Sequence, residues 1–370
     1  MSRRVMVAAG IALAAGVAGA VPLVGQTTSG GEPPVAAAPA ATDATHEHAP
    51  APGPQADPAV LAAARKAAFA PEAPAAAAAS KLSDQKAGTV REYWIKAVNV
   101  PWDVAPNGLD PVMGREVPIG QRTLTAIVYR AYTRNWAKPL ANTSASGDND
   151  GIPGPLIEAR VGDKVLVHFK NDDQVYKLPH SMHFHAFFYG LGSDGAFIPG
   201  ISGRGGNVPV GKSFTYRLTA GPQSAGVWPY HDHSKGMHDG IPKGLYGAIA
   251  ILRKNEKPPD RRFIVAFENT IGYDTINGRA FIGNTPTFRA RVGETVEWNV
   301  ISLGDNFHTF HVHGHRWLND AKVPEDTRTI GPGESFRVKW TEDAPGTWYY
   351  HCHVESHMNN GMIGLFKVDR

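Results

Sequence analysis

Three segments of this 370-residue chain occur twice in the same order, and that repetition constrains the fold more than any other feature. Pro155-Leu156-Ile157-Glu158-Ala159-Arg160-Val161-Gly162-Asp163 returns as Pro286-Thr287-Phe288-Arg289-Ala290-Arg291-Val292-Gly293-Glu294. His180-Ser181-Met182-His183-Phe184-His185 returns as His308-Thr309-Phe310-His311-Val312-His313, and Trp228-Pro229-Tyr230-His231-Asp232-His233 returns as Trp348-Tyr349-Tyr350-His351-Cys352-His353. Both copies also carry a Gly-charged-Ser-Phe step, at Gly211 to Phe214 and Gly333 to Phe336. Matched segments at similar offsets are the signature of a duplicated domain. Lys254 to Arg262, with Pro258-Pro259, forms the natural hinge between the copies.

Within each copy the apolar runs are short, alternating and rich in Val, Phe, Tyr and Trp. Lys164 to Phe169, Thr295 to Val300 and Ser335 to Trp340 are examples, and they read as strands. His168 simply sits on one of them. Gly/Pro turns punctuate the rest, and no long 3.6-residue period lies beyond residue 87. The expected fold class is all-β, with two Greek-key β-sandwich domains over 88–254 and 260–370. An apolar fraction of 42% is ample for two such cores.

The first 87 residues differ in kind. Ser2-Arg3-Arg4, the apolar run Val5 to Ala18 and the Ala18-Gly19-Ala20 site have the shape of a signal peptide over 1–20, and the paired arginines resemble a twin-arginine signal. That route exports folded proteins, so an extracellular or cell-envelope location is expected. An uncleaved anchor is the alternative. Residues 21–87 are Ala/Pro-rich and read as a disordered tether, with His46 and His48 as solvated side chains. No other stretch is long and apolar enough to span a membrane, so the mature chain is expected to have no span. The net charge of +3 is small and its Lys/Arg are scattered, which argues against nucleic acid as a partner.

The chain has one cysteine. An exported protein normally pairs its cysteines, so a single retained one is better explained by metal ligation. Cys352 lies between His351 and His353, with His357 and Met362 close behind. On a strand, successive side chains alternate faces, so Cys352 points one way and its two neighbours the other. Two metal centres can then share one strand. A thiolate, two imidazoles and a weak axial thioether make a trigonal blue-copper set, and Cys352, His357 and Met362 supply three of the four. Each copy also carries two His-x-His pairs: His183/His185 and His231/His233, then His311/His313 and His351/His353. Eight imidazoles exceed what one ion can use, which implies a copper cluster.

At these residues the chain resembles the two-domain multicopper oxidases, specifically the small bacterial laccases. The resemblance covers the chain after residue 88 and includes His308-x-x-His311-x-His313, His351-Cys352-His353 and Gly244-Leu245-Tyr246-Gly247-Ala248. It implies cupredoxin-like domains and about four copper ions per chain. His308, Cys352, His357 and Met362 would form the type 1 site. His183 and His311 would hold the type 2 ion, and His185, His231, His233, His313, His351 and His353 the type 3 pair. Tyr189 and Asp194 match positions where small laccases place a redox-active tyrosine and an acid beside the cluster. The implied reaction is one-electron oxidation of phenolic or similar donors coupled to reduction of dioxygen to water. The implied assembly is a homotrimer.

The first copy departs from the second at one place. Asp232 stands where Cys352 stands, and no Met follows suitably, so no blue copper is expected there. His180 and His238 then read as remnants or supporting groups, and His315 as structural. The run Pro179 to His185 is also similar to copper nitrite reductases. That family carries its blue-copper Cys in the first domain and lacks type 3 pairs, so Asp232 and the four His-x-His pairs count against it. A ferrous, cuprous or manganous oxidase differs only beside the blue copper, although methionine-rich inserts are absent. A non-enzymatic electron carrier leaves the eight histidines without a role.

Overall fold

In the strand Lys164–Asp172, Val165, Val167 and Phe169 are fully buried while the residues between them are more exposed, the two-residue period of a sandwich face. The same pattern builds two domains in the computed structural model, which describes residues 50–51, 53–70, 87–141 and 151–370. The leader, with His46 and His48, lies outside the described residues.

The first domain contributes β1 (Val90–Asp103), β2 (Thr123–Tyr132), β3 (Ile157–Arg160), β4 (Lys164–Asp172), β5 (His183–Phe184), β6 (Ser213–Thr219), β7 (Gly226–His231) and β8 (Tyr246–Leu252). One sheet has the order β2-β1-β4-β6 and the other β3-β8-β7-β5. The second domain repeats this with β9 (Arg261–Thr270), β10 (Tyr273–Ile276), β11 (Thr287–Arg291), β12 (Thr295–Ser302), β13 (His308–Val312), β14 (Thr327–Ile330), β15 (Ser335–Thr341), β16 (Gly346–Cys352) and β17 (Ile363–Asp369). Its sheets run β10-β9-β12-β15 and β11-β17-β16-β13-β14. Parallel pairs recur at equivalent places, β1 with β4 and β9 with β12, and likewise β3 with β8 and β11 with β17. The duplicated segments therefore become duplicated topology. One strand, β14, is added to the second copy, and it borders the histidines of β13.

Each domain has its own core, and a third apolar cluster joins them, with Trp102, Ile152 and Tyr246 on one side and Ile264, Ala266 and Ile301 on the other. Beside it Arg262 reaches Glu158 of the first domain at 2.6 Å and Glu297 of its own at 2.9 Å. All three are buried, so each charge depends on the others for compensation.

The tether reading needs correction over part of its length. Pro58–Phe69 is a helix, α1, started by Asp57, whose carboxylate accepts the Ala59 and Val60 amides. The preceding residues pair with the first domain, Glu116 N–H donating to Pro54 and Ala56 N–H to Gly114. Arg65 donates to the Pro111 carbonyl, while Lys367 of the second domain donates to the Ala70 carbonyl and Phe69 meets Tyr349 edge-on. Alanines form a good helix once it is docked, and this one straps both domains. Phe69 and Tyr349 also wall a cavity of about 430 Å³ that reaches His313 and His351.

Candidate metal centres

Strand register brings the histidines together. His183 lies directly opposite His231 across β5 and β7, and His311 opposite His351 across β13 and β16. Opposite residues share a face, so each domain presents a four-imidazole patch. In the first, ring centroids separate His183 from His185 by 5.3 Å, from His231 by 5.5 Å and from His233 by 5.2 Å. In the second, His311 lies 5.2 Å from His313 and 5.4 Å from both His351 and His353. The Nε2 atoms of His185 and His231 are 3.3 Å apart, and those of His313 and His351 3.1 Å. Among the described residues, no ring contact joins the two patches within one chain.

Backbone carbonyls set the tautomers. A carbonyl can only accept, so the Nδ1–H groups of His183, His231, His311 and His351 donate to Asp194, Asp232, Asp326 and Cys352 respectively, at 2.7–2.8 Å. Each Nε2 is left as a lone pair aimed into its patch. Burial, with neighbouring imidazoles adding to it, lowers His185, His231 and His351 to about 4. They are therefore neutral at physiological pH, the form that ligates a metal.

On the opposite face of β16, Cys352 enters the fully buried core of the second domain. Its Sγ lies 3.8 Å from His308 Nδ1 and 3.7 Å from His357 Nδ1, and the two nitrogens are 3.2 Å apart. His357 comes from the short helix Glu355–Asn359. The chain then returns through Met362, whose N–H donates to the His357 carbonyl and whose own carbonyl accepts the Cys352 amide. Met362 is fully buried in the same core. Burial holds His308 down to about 3 and pushes the Cys352 thiol up, against the Thr309 N–H that points at its sulfur. A bound cation reverses that thiol preference outright. Two imidazoles, one thiol and an adjacent thioether residue fit copper.

The equivalent pocket of the first domain is closed. His180 Nδ1 meets Asp232 at 3.0 Å and Nε2 meets Asp173 at 3.2 Å, so neither nitrogen is free for a metal. His238 is exposed. His315 is fixed between the His313 carbonyl and Glu342, and His168 between Thr215 and the face of Trp94. Asp194 and Tyr189 both stand at the first patch: the Asp194 carboxylate is 3.7 Å from His183 Nδ1 and the Tyr189 ring 6.3 Å from the His183 ring. Burial, reinforced by Asp194, raises the Tyr189 phenol to about 12. Sequence reasoning missed Asp173, Asp326 and Thr309, which act through a carboxylate or through backbone groups. For the last two no side-chain motif exists to find.

Two models of multicopper oxidase domains match the chain, over residues 131–256 and 253–370. A probable nitrite reductase-hydroxylamine oxidoreductase fusion protein of Kuenenia stuttgartiensis is 32% identical over 248 residues, covering 60% of this chain and 28% of that protein. The human ferroxidase HEPHL1 is 26% identical over 348 residues, covering 76% and 30% respectively. The chain thus spans less than a third of the length of these curated relatives. Among solved structures, a multicopper oxidase superposes with a TM-score of 0.58 at 26% identity, covering 76% of this chain and 89% of the other. A copper nitrite reductase from Nitrosomonas europaea, at 20% identity and a TM-score of 0.56 over 76% and 94%, shares the fold. Duplicated sandwiches, paired histidine patches, a single thiol pocket and these likenesses agree, and the chain belongs to the multicopper oxidases as a small two-domain member.

Proposed function

We propose that the protein is a laccase-like oxidase that takes single electrons from phenolic or similar small reducing donors and delivers them to dioxygen. The observation that carries this reading is the contrast between two complete four-histidine patches and one thiol pocket. His308, Cys352, His357 and Met362 would hold a type 1 copper. His183 and His311 would hold a type 2 ion and the other six histidines a type 3 pair, giving about four ions per chain. When bound, copper supplies the one-electron redox chemistry and the reduction of dioxygen to water. The chain's own part is positional. Cys352 is peptide-bonded to His351 and His353, so a continuous covalent path links the thiol pocket to the patch. Asp194, within reach of His183, is placed to hand on the protons that water formation consumes. Tyr189, beside it, is placed to supply an electron.

Because no ring contact joins the two patches within one chain, we place the complete cluster between chains, the first domain of one subunit facing the second domain of the next in a closed homotrimer. Exposed Phe188, Leu191, Ile198 and Ile201 lie in the loop between the two His-x-His pairs of the first patch, and exposed Leu318 and Val323 in the segment that joins β13 to β14. Such exposed apolar side chains fit subunit contact. The export signal would place the enzyme outside the cytoplasm.

Ferroxidase relatives favour a second reading, oxidation of a metal ion at the same pocket. Oxygen uptake with a phenol, a ferrous salt and nitrite in parallel separates these: uptake with the phenol supports the first, with ferrous ion alone the second. Nitrite consumption without oxygen uptake defeats both.

A further inference from the structure

The closed pocket of the first domain does more than fill space. Asp232 lies between His231 and His233, and its side chain is the centre of a buried network. Its carboxylate accepts the N–H and hydroxyl of Ser181 at 2.9 and 3.2 Å, the N–H and hydroxyl of Ser234 at 3.0 and 3.1 Å, and His180 Nδ1 at 3.0 Å. The Ser181 hydroxyl in turn accepts the His233 N–H at 3.0 Å, and the Asp232 carbonyl accepts the His231 ring. On the far side of His180, Asp173 is itself anchored by Asn99 and by the amides of Tyr176 and Leu178. A chain of direct hydrogen bonds therefore runs from the Asp173 loop to the His233 backbone, and Asp232 itself links that chain to the His231 ring through its carbonyl. Gly240 closes the pocket, since a Cβ there would sit 2.6 Å from the Asp232 carboxylate.

We propose that Asp173, His180, Asp232 and Ser181 form a metal-free brace that positions His231 and His233 for copper binding. In the second domain a copper on Cys352 would tie β16 to the short helix carrying His357; in the first, hydrogen bonds tie β7 to the loop carrying Asp173. These are positioning residues, for none of their side chains enters the histidine patch. Removing groups that orient metal ligands typically weakens the metal about 10- to 100-fold.

The inference rests on the reading of His231 and His233 as ligands, so the test measures copper binding rather than turnover. Copper-free wild type, Ser181→Ala and Asp232→Asn are titrated with copper under anaerobic conditions. The near-ultraviolet band and magnetic silence of a coupled copper pair report the cluster, and the blue band reports the Cys352 pocket. Expected is a cluster affinity lower by about 10- to 100-fold in both variants, with blue-copper affinity unchanged and the copper-free protein still folded, its melting midpoint only modestly lower, in Ser181→Ala. Ser181→Ala removes one hydroxyl and keeps the test alive if Asp232→Asn fails to fold. Wild-type cluster affinity in Ser181→Ala, or equal weakening of both copper sites, overturns the brace. A wild type that binds blue copper and no cluster copper overturns the proposed function and the brace together.

Discussion

His180 and His308 occupy the same place in two copies of one fold, are equally buried, and are driven in opposite directions. Burial alone lowers an imidazole, and it lowers His308 to about 3 because its neighbours are a thiol and another imidazole. At His180 burial acts the same way, yet two carboxylates, Asp232 foremost, outweigh it and raise the group. Solvent exclusion therefore does not decide whether such a pocket takes a metal. The residue at the Asp232/Cys352 position does, by converting a neutral ligand set into a self-neutralising ion network.

The most drastic way to break the comparison is Cys352→Asp, which gives the second domain the first domain's residue. Oxygen uptake with every donor should be abolished and the blue colour lost, while the eight patch histidines still take up copper; absorption and metal analysis check this. Next, co-expression of His183→Ala with His353→Ala tests whether the patches complete each other between chains. With random mixing, about a quarter of interfaces pair an intact first domain with an intact second, so about a quarter of wild-type oxygen uptake should return. Clusters built within single chains would all carry a lesion and stay inactive.

The reverse exchange, Asp232→Cys, should not produce a second blue site, because Gly240 and Leu245 stand where His357 and Met362 would be required, as the matching backbone hydrogen bonds show. It leaves His180 with Asp173 as its only buried carboxylate partner, at a cost of about 3–5 kcal/mol, readable as a lower denaturant midpoint of the copper-free protein. The smallest effect is the titration itself. In copper-free protein, nuclear magnetic resonance should show His180 protonated above the ordinary imidazole range and His308 neutral down to about pH 3. A raised folded pKa means that His180 adds stability fully present below about pH 6.5 and lost as pH rises through its folded value. His308 has the opposite sign: stability falls as pH drops from about 6.5 towards 3, because the unfolded chain gains the proton first.

Much of this was legible in the sequence because both repeats are local. A His-x-His pair puts two imidazoles on one face of a strand wherever it occurs, and duplicated segments announce duplicated sandwiches. Asp173 was not legible, since it lies far along the chain from Asp232 and meets it only through His180. Nor was α1, whose alanines match the composition of a linker. Its capping Asp57-Pro58 step was a usable signal, but the docking onto Tyr349 and Lys367 is tertiary and has no counterpart in composition.

Consecutive placement of His351, Cys352 and His353 on and just beyond β16 makes a ruler of the backbone. Two steps of about 3.8 Å fix the span, and no breathing of the sandwich lengthens it without breaking bonds. In the proposed trimer the weak point would therefore lie elsewhere, at the non-covalent seam where one subunit's patch would have to find its neighbour's. The thiol pocket is wholly internal to the second domain, so on that reading a subunit diluted away from its partners should keep a blue colour and stop consuming oxygen.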